Sequence, residues 1–157
     1  MNESKRLFFA AIGTLLLTII HHARGAVLYE NPFRLHVVFV AVPVTIALAV
    51  AYRGRSPSTA GGIARAAFLT LSFIVGAAIG VYEGGYNHVL ANLLYFAGAP
   101  PELFEKIYPA VSEVPNDFWF EASGVLQFPP GAYAAWLALR LAREGIVRRR
   151  AHPLRLH

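Results

Sequence analysis

Long apolar runs alternate with short charged or turn-forming stretches along this chain. Four of the runs are bounded by charged residues: between Arg6 and Arg24, between Arg34 and Arg53, between Arg65 and Glu83, and between Glu121 and Arg140. Each is close to the lower limit of roughly 17 residues that crosses the hydrocarbon core of a bilayer. The pattern predicts four spanning helices, over about residues 7–23, 35–52, 66–83 and 121–140. The fold class expected is all-α: an integral membrane four-helix bundle, with short helices in the third connection.

That connection has structure of its own. Tyr86–Phe96 carries helical apolar spacing and extends the third span or lies at the interface. Pro100, Pro101 and Glu102 predict a helix start, with Leu103, Phe104, Ile107 and Tyr108 on one side. Pro115, Asn116 and Asp117 predict a cap for the fourth helix. Tyr29, Phe33, Tyr82, Tyr86, Tyr95, Trp119 and Phe120 suit an aromatic belt at the outer interface.

Composition agrees with this reading. The 157 residues are 56% hydrophobic and 15% charged, against about 25% charged in a typical soluble domain. There is no cysteine, which excludes disulfides, iron–sulfur clusters and thiolate metal sites. The length suits a single four-span membrane domain, 1–143, followed by a basic cytoplasmic tail, 144–157.

The net charge of +5 matters through its distribution. Lys5 and Arg6 precede span one; Arg53, Arg55 and Arg65 flank the second connection; Arg140, Arg143, Arg148, Arg149, Arg150 and Arg155 follow span four. The third connection has only Lys106 against Glu102, Glu105, Glu113 and Asp117. Basic loops stay in the cytoplasm, so both termini are expected inside, in a bacterial-type cytoplasmic membrane. The basic residues then report orientation, and no nucleic-acid partner is implied. Arg24 and Arg34 in the first connection dissent mildly. A rival reading takes residues 1–25 as a signal peptide, with Ala23-Arg24-Gly25 as the cleavage region; cleavage would remove His21 and His22 and leave three spans.

Against this background the ionisable residues stand out, because a charge at a span margin is costly unless it pairs, binds something or reaches water. His21, His36, Glu83 and Glu121 lie at the outer ends of the four spans. At 1.5 Å per residue they stand roughly 22, 25, 27 and 28 Å from Arg6, Arg53, Arg65 and Arg140, a spread of about one turn. Small-residue stripes aim them inward: Thr14 and Thr18 lead to His21, Pro43 aligns with His36, Ser72, Gly76 and Gly80 lead to Glu83 and Asn87, and Gly131 and Gly124 lead to Glu121 and Asp117. The candidate metal ligands are therefore His21, His36, Glu83 and Glu121, with Glu83 and Glu121 also as candidate catalytic bases. His22, Asn87, His88 and Asp117 form a second rank. On a continuous α-helix His88 points ~100–140° away from Asn87 and Glu83, unless Gly84-Gly85 bends the chain.

Imidazole and carboxylate suit zinc, iron, manganese or copper. Such a site could serve a membrane hydrolase or an oxidoreductase acting on a lipid-soluble small molecule, and a metal-free acid–base isomerase is a further class. Haem b between His21 and His36, or His21 and His88, is the alternative cofactor. A transporter or accessory subunit would need only a structural polar network. Membrane lipids are the expected surroundings, and the small-residue stripes also suit a homo-oligomer.

Overall fold

The computed structural model describes residues 1–108 and 117–151. Residues 109–116 and 152–157 lie outside it, and with them Pro115 and Asn116 of the expected cap. Every regular element among the described residues is helical.

Helix α1 (Glu3–Leu28) begins where the Asn2 side chain accepts the Lys5 N–H at 2.9 Å. A 3₁₀ turn (Pro32–Leu35) leads into α2 (His36–Arg53). Helix α3 (Thr59–Ile74) starts at Ser58, whose hydroxyl accepts from Gly61 N–H at 3.1 Å. It runs on through a π-wound segment (Val75–Leu90) into α4 (Ala91–Phe96), one rod of 38 residues. The expected extension of the third span through Tyr86–Phe96 is therefore present. Helix α5 (Pro101–Ile107) begins at the proline pair, also as expected. Helix α6 (Phe118–Ala151) passes through Pro129 and Pro130 and takes in the first part of the stretch read as a tail.

The long helices pack in a cycle, α1 on α2, α2 on α3, α3 on α6 and α6 on α1. Contact is most extensive between α6 and the π segment. Glycine makes this approach possible: a Cβ on Gly80 would overlap the backbone of Gly131, and one on Gly131 would overlap Gly80. Large apolar side chains (Leu7, Leu15, Leu48, Phe68 and Leu137) fill the end nearest Lys5 and Arg53. The opposite end holds the buried histidines His21 and His88, with Thr14, Thr18, Ser72 and Gln127 buried between.

Among the described residues, three helices are long and apolar enough to cross a membrane: Glu3–Leu28, Pro32–Arg53 and Thr59–Phe96. Helix α6 does not join them, because Gln127, Pro129, Pro130 and several small residues dilute its apolar content. It nevertheless packs on α1, α3 and the π segment, with Gln127, Ala134, Leu137 and Ala138 buried, and turns Leu126, Tyr133 and Trp136 outward.

Two expectations about facing need correction. In α2 the buried residues are Ala41, Leu48 and Ala51, whereas His36, Pro43 and Ala47 are exposed. This helix is apolar on every side, so its one small-residue stripe did not decide its rotation. Phe120, assigned to the aromatic belt, is instead buried and stacks on the His21 ring at 4.2 Å between centroids. Phe33, Tyr82 and Trp119 do face outward.

Candidate functional site

The winding of the third rod sets up the site. An α-helix repeats every 3.6 residues, and the π-helix, with its i→i+5 bonds, turns more widely. The buried face of this rod accordingly repeats every four residues: Ser72, Gly76, Gly80, Gly84 and His88. His88 thus turns inward, where α-helical spacing would send it away. Its ring lies against α6 at Gly124, where any side chain would collide with it. Asn87 is only partly buried, and Glu83, half-buried, still reaches the neighbouring α1.

His21 is the centre of the cluster. It is 2% exposed, and its Nε2 lies 3.1 Å from His88 Nε2 and 3.9 Å from Glu83 Oε1. Its Nδ1 faces the Phe120 carbonyl at 3.2 Å and Ser123 Oγ at 3.1 Å, both on α6. His22, the next residue, puts Nε2 2.8 Å from Glu83 Oε1. Thr18, one turn down α1, approaches the other Glu83 oxygen at 3.5 Å. Glu121 is 3.1 Å from His88 Nδ1 and accepts a hydrogen bond from the Asn92 amide. One continuous polar group therefore runs from His22 through Glu83, His21 and His88 to Glu121.

Three of its members, His21, His22 and Glu83, offer ligand atoms that all lie within 4.8 Å of one another. Ligands of a tetrahedral zinc ion at 2.0–2.1 Å stand about 3.3 Å apart, a spacing that small side-chain movements here can reach. His22 Nδ1 is buried without a hydrogen-bond partner.

The structure brings His21, Glu83 and Glu121 together and adds His22 and His88 from the second rank. It does not bring in His36. That residue is exposed, donates from Nδ1 to the Phe33 carbonyl, and keeps its ring 6.5 Å from that of His22. Asp117 lies apart from the cluster, 2.7 Å from the Arg24 guanidinium, and caps α6 by accepting from the Phe120 N–H at 2.7 Å. The hydrogen bond from Arg24, followed by that from the Phe120 N–H, holds the Asp117 carboxyl below the usual carboxylate range. Sequence reasoning missed Asn92 and Ser123 as partners of the site. The only signal for either was position: Asn92 one turn beyond His88, and Ser123 two residues after Glu121.

A groove of about 510 Å³ opens beside Glu121, lined by Asn92, Phe96, Asp117, Phe118, Ala122 and Val125 as well. An apolar depression at Val89, Leu93 and Ala97 shares Asn92, Phe96 and Val125 with it. The polar cluster is thus reached along a mostly apolar surface.

In comparisons with protein-family models, curated proteins and solved structures, nothing matches this chain.

Proposed function

We propose that this is an integral membrane protein whose His/Glu cluster holds a divalent transition metal near the outer face of the membrane. The observation that carries the metal reading is the convergence of His21, His22 and Glu83 from two helices onto one small volume. Imidazole and carboxylate donors of this kind, one buried and two partly buried, suit zinc, iron, manganese or copper. The membrane reading rests on three long apolar helices and on the outward side chains. Phe39, Val40, Val42, Ile46 and Val50 on α2, with Phe9, Leu16 and Ile20 on α1, are all exposed. Soluble monomers rarely present so continuous an apolar surface.

In this reading α6 is the fourth span. It can carry Gln127 because that side chain is fully buried against its neighbours, while Leu126, Tyr133, Trp136 and Leu139 form its outward face. The distribution of Lys and Arg supports a reading with both termini in the cytoplasm and the cluster on the other side. A bound metal would supply Lewis acidity or redox chemistry. The chain's own residues would do the rest: Glu83 and Glu121 hold or move protons, and the groove at Phe96, Phe118 and Val125 positions a lipid-soluble substrate beside Glu121. Haem finds less support. His36 faces outward, and the 3.1 Å between His21 and His88 nitrogens is shorter than two iron–nitrogen bonds end to end.

The test is metal analysis of protein purified in native-like membrane discs. The expected result is one equivalent of a transition metal, lost in His22→Ala and Glu83→Gln while helicity is kept. A metal-free wild type that takes up neither Zn²⁺ nor Co²⁺ would reduce the cluster to a polar network fixing helix register.

A further inference from the structure

His21 and His88 face each other through Nε2 atoms 3.1 Å apart, and in each ring the other nitrogen is already committed. The Phe120 carbonyl beside His21 Nδ1 can only accept a proton. Ser123 Oγ, the other neighbour, directs its own proton to that same carbonyl at 2.9 Å. His21 therefore carries its hydrogen on Nδ1 and presents a lone pair at Nε2. On the other side, Glu121 Oε2 accepts from the Asn92 amide and lies 3.1 Å from His88 Nδ1. As a carboxylate it also accepts the His88 Nδ1–H, which leaves His88 Nε2 with a lone pair. Two acceptors then point at each other, an arrangement that is costly unless a proton or a metal cation joins them; uptake of metal distinguishes the two. Gly124 leaves the space that lets the His88 ring sit there.

We infer that His88, whose Nε2 lies 3.1 Å from that of His21 but outside the group in which His21, His22 and Glu83 all stand within 4.8 Å of one another, moves in as a fourth protein ligand of their metal, an inference that rests on the metal reading above. Glu121 and Asn92 are positioning residues: they fix the His88 tautomer and aim Nε2, as the Phe120 carbonyl does for His21. Metal-ligating histidines commonly donate their second N–H to such a carboxylate or carbonyl. Three imidazoles and one carboxylate favour Zn²⁺, Co²⁺ or Fe²⁺ over Mg²⁺ or Ca²⁺.

The experiment uses the full chain in membrane discs. Zn²⁺ affinity is measured by chelator competition, and bound imidazoles are counted by X-ray absorption at the zinc edge. The wild type should show three imidazoles. His88→Ala should show two and bind at least tenfold more weakly. Glu121→Gln should keep three imidazoles and lose about 10–100-fold in affinity, the usual effect of removing an outer-shell partner. If His88→Ala does not fold, Glu121→Gln alone decides, and unchanged affinity there overturns the assignment. Wild-type zinc with two imidazoles, unaltered by His88→Ala, also overturns it while leaving the metal reading intact. No uptake of Zn²⁺ or Co²⁺ by the wild type defeats both.

Discussion

At the scale of single residues, an ion pair and a glycine beside the cluster do different work. Asp117 joins the start of α6 to Arg24 near the end of α1. Its carboxyl is held below the usual range, so the sign of its pH effect is fixed. A depressed folded pKa contributes stability above the unfolded value, and that contribution is lost as pH falls through the folded value. Acidification below the ordinary carboxylate range should therefore lower the thermal midpoint of the wild type, and Asp117→Asn should flatten that part of the profile. An equal acid response in both proteins would show that the pair contributes nothing. Gly124 is decisive in another way, because a side chain there meets the His88 ring. Gly124→Val should cost about 1–3 kcal/mol from overpacking and weaken metal retention, which paired thermal and metal measurements would detect. The sequence singled out His21, Glu83 and Glu121, which the fold brings into one polar cluster. It ranked His22 and His88 lower because their directions depend on how the helices wind and turn, which residue type does not specify.

At the scale of elements, the π segment decides most. Every fourth residue from Ser72 to His88 is small until the histidine, and this repeat was legible. Read with α-helical geometry, it led to Glu83 and Asn87; wound more widely, it leads to Gly84 and His88. Close backbone approach to α6 depends on the same residues. Gly80→Leu should push the rod away from Gly131, cost about 1–3 kcal/mol or more, and disturb the cluster one to two turns away. Thermal unfolding in detergent, with zinc affinity measured alongside, gives the readout; a wild-type midpoint would show that the close approach is dispensable. Helix α2 shows the limit of stripe arguments. Where every face is apolar, a line of small residues has no contrast to set it apart, and packing on α1 and α3 selected Ala41, Leu48 and Ala51 instead.

At the scale of the whole molecule, the prediction is topological. The chain contains no cysteine, so single cysteines report without background. Ser56→Cys lies in the exposed turn before α3, and Glu102→Cys lies on exposed α5. With both termini inside, an impermeant maleimide should label intact cells at position 102 and reach position 56 only after the membrane is opened. The reverse pattern would turn the molecule over and put the cluster in the cytoplasmic half.

The sequence by itself determined the helical class, the long apolar segments, the helix at the proline pair and the concentration of ionisable groups at one end of the bundle. These follow from hydropathy and turn chemistry, which act locally and are written residue by residue. Tertiary structure decided which of those groups meet. His36 fell outside because α2 turned another face to its neighbours, and His88 came in because the third rod unwound. Phe120 left the surface to pack on His21. Each outcome depends on rotation about a helix axis, and that rotation is fixed by how closely neighbouring helices can approach.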